Sequence, residues 1–287
     1  MITSLTRFPP VTAVLLSIVS VQGGAAIAKG LFSLLGASGT ASVRICFSAL
    51  ILIVALRPSL KQLNAAQWKA IIPYGIVLGA MNLLFYCALA RIPMGVAVSL
   101  EFIGPLVLAL AGSRRALDLL WIILAGVGIA FIAPWSENGI DLLGVVFALL
   151  AGGCWAIYIL LSKHAGAKLP GQLAVTVGML FAALTVLPFG VIEGNLHLMT
   201  PYILMLGVTL AIFSSVLPFS LEMQALRTMP PRVFSILMSL EPAVAALIGF
   251  WLLGEHLLLS QWLAVACIVI ASSGAAFKGR EAGIKSH

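Results

Sequence analysis

The sequence predicts an all-α integral membrane protein, with ten transmembrane helices arranged as two inverted five-helix repeats. Three observations lead there: the composition, the spacing of the apolar stretches, and an internal repeat. Of the 287 residues, 62% are hydrophobic and 9% charged, against roughly 25% charged in an ordinary soluble domain. A single compact core cannot bury a chain that reads apolar on nearly every helix face, so a second apolar solvent has to surround it. That solvent is the lipid bilayer.

A helix needs roughly 20 mostly apolar residues to cross about 30 Å of hydrocarbon, because every backbone polar group must be bonded within the segment. Ten stretches qualify: 11–32, 39–56, 70–90, 95–112, 118–134, 142–162, 172–192, 202–224, 233–253 and 260–277. The first imitates a secretory signal, since Arg7 precedes an apolar run that carries the small residues Ala26 and Ala28. It counts as a span because the run continues to Phe32.

Positive residues are retained on the cytoplasmic side, and this sets the orientation. With the N-terminus inside, the inner segments hold Arg7, Arg57, Lys61, Lys69, Arg114, Arg115, Lys163, Lys168, Arg227, Arg232, Lys278, Arg280 and Lys285, which is 13 of the 16 Lys and Arg residues. The outer loops hold only Arg91, while Lys29 and Arg44 lie within spans 1 and 2. Both termini are therefore expected in the cytoplasm.

The halves repeat at a spacing of 137 to 142 residues. Ala88-Leu89-Ala90-Arg91-Ile92-Pro93 matches Ala225-Leu226-Arg227-Thr228-Met229-Pro230, and Ser99-Leu100-Glu101 matches Ser239-Leu240-Glu241. The next span carries Gly112 and Trp121 in one copy, Gly254 and Trp262 in the other. Each half holds five spans. Five is odd, so the second copy enters from the opposite side and the two are related by a pseudo-twofold axis in the membrane plane. Such inverted pairs recur in secondary transporters, whose substrate site lies near mid-membrane between the halves.

Several segments carry a resemblance to a known family. Gly153-Cys154-Trp155-Ala156-Ile157-Tyr158 opening the second unit, and Leu240-Glu241-Pro242 followed by Leu253-Gly254-Glu255, resemble the drug/metabolite transporter superfamily with its paired EamA domains. On that reading residues 1–138 are a first EamA-like repeat, 139–278 a second, and 279–287 a cytoplasmic tail. Val21-Gln22-Gly23-Gly24-Ala25, Met81-Asn82-Leu83-Leu84-Phe85-Tyr86, Leu100-Glu101-Phe102, Gly104-Pro105 and Phe219-Ser220-Leu221-Glu222-Met223 are similar to bacterial threonine and homoserine exporters. The resemblance implies proton-driven efflux of such amino acids across a bacterial inner membrane.

A charge at the centre of a span costs about 2.5 to 3.5 kcal/mol on insertion scales, so one that remains should face a partner or a wet cavity. Lys29, Arg44, Glu101, Glu222 and Glu241 qualify. A zwitterionic amino acid needs an anion for its ammonium and donors for its carboxylate. Glu101 or Glu241 is expected to serve the first need, Lys29 and Arg44 the second. The same glutamates are the candidates for proton coupling, each binding a proton or the ammonium in turn. The competing role for all these charges is to pair with one another and lock helices together, and Glu222, near the inner end of span 8, is free to snorkel toward water. Asn82 and Tyr86 stand four apart on span 3, and Gln22 and Lys29 seven apart on span 1, spacings that bring each pair to one helix face. Trp155 and Tyr158 are candidates for a pocket wall or for packing. Pro105, Pro218 and Pro242 fall within spans and are candidate gating kinks or fixed bends.

Other function classes fit poorly. His164, His197, His256 and His287 all fall in loops or the tail and no HExxH occurs, which argues against an intramembrane enzyme. A passive channel does not need inverted halves with matched glutamates. The net charge of +7 is spread singly or in pairs, not on one face as a nucleic-acid partner requires. Cys46, Cys87, Cys154 and Cys267 lie in apolar runs without CxxC pairing, so neither disulfide, metal nor other cofactor is expected. The expected partners are an amino-acid substrate, protons and membrane lipid. The main alternative is a broader metabolite or drug exporter of the same superfamily, whose pocket would be more aromatic and less charged.

Overall fold

The computed structural model describes residues 9–60, 63–111, 116–132, 141–195, 200–218 and 231–278, together with Leu221, Glu222, Ala225 and Met229. Arg7, Lys61, Gly112, Arg114, Arg115, His197, Phe219, Ser220, Met223, Leu226, Arg227, Thr228, Pro230 and the 279–287 tail, all used in the sequence reading, lie outside the described residues. Among those described the regular structure is helical: α1 (Pro10–Leu56), α2 (Ala65–Leu89), α3 (Met94–Glu101), α4 (Ile103–Ala111), α5 (Ala116–Ile132), α6 (Leu142–Gly166), α7 (Gly171–Ile192), α8 (Pro201–Ala211), a π turn (Ile212–Val216), α9 (Pro231–Met238), α10 (Glu241–Leu253) and α11 (Leu259–Lys278). Five helical stretches, Pro10–Leu56, Ala65–Leu89, Leu142–Gly166, Leu173–Ile192 and Ile236–Leu253, are long and apolar enough to cross a membrane. The remaining sequence-predicted stretches hold shorter helices. Large apolar side chains such as Ile192, Leu259 and Trp251 are 81%, 75% and 74% exposed, which suits lipid as the surrounding solvent.

Unbroken, the 47 residues of α1 would reach about 70 Å, more than twice the hydrocarbon thickness. Spans 1 and 2, expected as separate helices, follow one another within α1 as two helical arms that meet at Gly36, whose φ 71°, ψ 172° is non-helical, a conformation open to glycine and costly for a residue with a Cβ. The carbonyls released there find partners, since Asn195 N–H donates to Leu35 O at 3.2 Å and Asn195 Nδ2 to Leu34 O at 3.2 Å.

Spans 4 and 9 are each broken, and proline explains where. Pro105 has no N–H for the carbonyl of Glu101, and the α3/α4 break follows at Phe102; Pro242 has none for Met238, and the α9/α10 break follows at Ser239 and Leu240. The two prolines stand at different distances from the matched glutamates. Glu101 therefore ends α3, whereas Glu241 begins α10.

Pro218 acts a third way. It cannot donate to Ser214 O, and upstream of it the ladder slips, so Leu217 N–H bonds Ile212 O and the π turn results. That slip releases the carbonyl of Phe213, which accepts the Ser20 hydroxyl from α1 at 2.6 Å.

Small residues let the helices approach closely. A methyl on Gly104 of α4 would overlap the carbonyl oxygen of Gly152 on α6, and one on Gly152 would lie 2.5 Å from Glu101 O. Elsewhere α2 packs on α6 and α7, α1 on α7, α3 on α10, and α5 on α11. At one end of the bundle Asp141 caps α6, accepting from Leu143 N–H at 2.8 Å, and bonds Arg91 Nη1 at 2.9 Å. The Arg91 hydrogen bond holds this exposed carboxyl below the usual aspartate range.

Candidate functional site

Buried charges and Gln22 gather where both arms of α1, α2 and the broken helices meet. Arg44 is 9% exposed, Glu101 8%, Glu241 6% and Gln22 3%. Arg44 Nη2 donates to Asn82 Oδ1, while the Arg44 guanidinium stands over the ring of Tyr86, Cζ to centroid 4.9 Å. Asn82 is held in turn, because its Nδ2 donates to Leu78 O at 2.8 Å. The four-residue spacing of Asn82 and Tyr86 thus places both against one guanidinium, as helix geometry requires. Gln22 Nε2 donates to Glu241 Oε1 at 3.3 Å, crossing from α1 to α10. Glu101 lies within Coulombic reach of both Arg44 and Glu241, and Glu241 within reach of Glu222.

Six buried side-chain polar atoms lack a hydrogen-bond partner among the described residues, and three of them, Gln22 Oε1, Arg44 Nε and Tyr86 Oη, belong to this cluster. Buried polar groups are normally satisfied, since leaving one bare costs about 1–3 kcal/mol. Three such atoms among these residues make this cluster the candidate site.

Lys29 stands elsewhere. Its ammonium makes an ion pair with Glu255 at 2.7 Å and donates to Ile92 O at 3.0 Å, while Glu255 Oε2 accepts Met94 N–H at 2.7 Å. Gln22 and Lys29, expected to converge, answer to different partners because seven residues separate them by about 10 Å along the helix. Glu255 was not singled out from the sequence as a site residue. It entered the sequence reading only within the Leu253-Gly254-Glu255 resemblance; in the structure Gly254, at φ 65°, ends α10 just before it. Glu222, expected to snorkel, accepts the Ser17 hydroxyl at 2.6 Å.

The two aromatics of α6 divide between neighbours. Trp155 meets Phe102 edge-on, centroids 4.9 Å apart, beside the α3/α4 break. Tyr158 stacks on Tyr74 at 5.3 Å and lies within Coulombic reach of Glu222. Pro105 is half-buried, and Pro218 and Pro242 are buried.

Comparison with known proteins agrees with this picture. The profile of the EamA-like transporter family matches residues 142–276. The chain is similar to the threonine/homoserine exporter RhtA of Escherichia coli (strain K12), 42% identical over 283 residues covering 97% of this chain and 96% of that one. It is 43% identical over 267 residues to the RhtA of Salmonella typhimurium (strain LT2), covering 92% and 90%. An uncharacterized transporter of Bacillus subtilis (strain 168), YwfM, is 26% identical over 78% of each chain. A crystal structure of a protein 16% identical shares the fold, with a TM-score of 0.61 over 94% of this chain and 98% of its own. With buried charges at its centre and this near-full-length identity to known exporters, the chain belongs to the EamA-like transporter family.

Proposed function

We propose that the protein is a secondary-active exporter of small amino acids, of the threonine and homoserine class, in a bacterial inner membrane. The observation that carries this reading is the 42% identity over 97% of the chain to exporters named for those substrates. The cluster of Arg44, Asn82, Tyr86, Gln22, Glu101 and Glu241 supports it, because it offers donors for a carboxylate and acceptors for an ammonium within one buried region.

The architecture proposed is ten spans in two inverted repeats, 1–138 and 139–278, with both termini cytoplasmic. Which helices touch which supports it. If each span answers to the one five places on, the second arm of α1 with α7, α3 with α10, and α5 with α11 are self-paired. Two of the remaining packings have counterparts under the same correspondence. Packing of α2 on α6 corresponds to α1 on the π turn, where Ser20 meets Phe213, and α4 on α6 corresponds to α1 on α10, where Gln22 meets Glu241.

In the proposed cycle, Glu101 or Glu241 holds either a proton or the substrate ammonium, and rocking of the halves exposes the site to each side alternately. Export then consumes the inward proton gradient. The test is efflux of radiolabelled threonine and homoserine from preloaded proteoliposomes, with and without an imposed proton gradient. Gradient-accelerated efflux is the expected result; no efflux of either amino acid would leave the broader metabolite exporter.

A further inference from the structure

We propose that Arg44 Nε and the Tyr86 hydroxyl form the donor pair for the substrate's carboxylate, with Asn82 fixing the guanidinium, so that the protein selects ligands carrying a free carboxylate. This rests on the reading of the cluster as the transport site.

A buried guanidinium cannot shed its proton and normally has an anion beside it. Arg44 does not. No carboxylate lies within ion-pair distance of it among the described residues, although Glu101 is within Coulombic reach. Asn82 occupies Nη2 and the ring of Tyr86 covers the guanidinium face, leaving Nε without an acceptor. Tyr86 repeats the pattern: the side chain is 1% exposed and its hydroxyl has no partner among the described residues. One guanidinium–ring pair thus carries two unsatisfied donors, and the two oxygens of a carboxylate can accept from both.

The sequence reading assigned the carboxylate to Lys29 as well as Arg44, but the Lys29 ammonium is already neutralised by Glu255 and held by Ile92 O. Gln22 Oε1, the third unsatisfied atom, is an acceptor beside Glu241 and so belongs with the ammonium. Donors on α1 and α2 face the carboxylate role, and acceptors on α1 and α10 the ammonium role.

The test is competition against labelled-threonine counterflow in proteoliposomes by unlabelled threonine and by threoninamide, which keeps the ammonium and lacks the carboxylate. Wild-type protein is expected to bind threoninamide about tenfold more weakly or worse, the loss typical of a charge-assisted hydrogen bond. Tyr86→Phe, which keeps the ring under Arg44 and removes only the hydroxyl, is expected to narrow that ratio several-fold. Because the hydroxyl has no partner to lose, Tyr86→Phe should be no less stable than wild type. Equal competition by threoninamide in the wild type, or an unchanged ratio in Tyr86→Phe, overturns the assignment while transport of threonine stands. Absence of any threonine counterflow in the wild type instead removes the underlying reading, and the assignment with it.

Discussion

Glu255 and Lys29 meet at 2.7 Å, 226 residues apart in sequence, and the same carboxylate accepts Met94 N–H at 2.7 Å. One side chain thus ties the first arm of α1, the start of α3 and the segment after α10. Removing it leaves a partly buried ammonium with no counter-ion, held only by Ile92 O, and the Met94 N–H without its acceptor. Glu255→Ala is expected to destabilise the protein by about 2 kcal/mol, read as the thermal midpoint in detergent. Lys29→Ala should cost a similar amount, and the double variant less than the sum. Strict additivity would show that the pair does not couple.

The glutamates separate differently. If Glu101 or Glu241 exchanges a proton for the substrate, Glu101→Gln or Glu241→Gln should abolish acceleration of threonine efflux by the proton gradient. The essential variant should still exchange threonine for threonine, because glutamine retains an acceptor for the ammonium. Unchanged gradient-driven export in both variants would remove the exchange mechanism.

Adjacent glycines on α6 give a sharp contrast. A Cβ at position 152 would press on the backbone of Glu101, whereas one at 153 meets nothing within 4 Å. Gly152→Ala is expected to cost about 1–3 kcal/mol by overpacking, and Gly153→Ala to stay within about 0.5 kcal/mol. Equal yields of folded protein and equal thermal midpoints would contradict the close approach of α6 to the end of α3.

The π turn allows a double-mutant cycle. Ser20→Ala should cost about 1 kcal/mol by leaving Phe213 O without its donor. In a Pro218→Ala background the regular ladder can recover, with Leu217 N–H returning to Phe213 O, so the same Ser20→Ala should cost measurably less. An identical cost in both backgrounds would mean that Pro218 is not the cause of the slip.

Composition and periodicity made the helices legible, and the expense of an intramembrane charge made Arg44, Glu101 and Glu241 legible as candidates for one site. The four-residue spacing of Asn82 and Tyr86 was enough to bring both to Arg44. What periodicity does not carry is which partner answers a charge across the bundle. The partner of Lys29 was not legible because Glu255 lies outside any apolar run, and whether Trp155 and Tyr158 pack or line a wall was left open until Phe102 and Tyr74 are seen against them. Spans 1 and 2 were legible as two helices, but not that a single glycine with positive φ, Gly36, is all that separates them, because such a residue looks in sequence like a short loop.

The placement of two prolines has a further consequence. Pro105 stands four residues after Glu101, but Pro242 stands directly after Glu241, so one glutamate closes a helix and the other opens one. At each break a carbonyl-rich helix end adjoins an amide-rich helix start, and Glu101 belongs to the former whereas Glu241 belongs to the latter. A proton held at one is therefore not energetically equivalent to a proton held at the other. In the proposed inverted repeat, a three-residue difference in where the proline stands thus gives two matched glutamates unequal surroundings, without any change in the acidic residue itself.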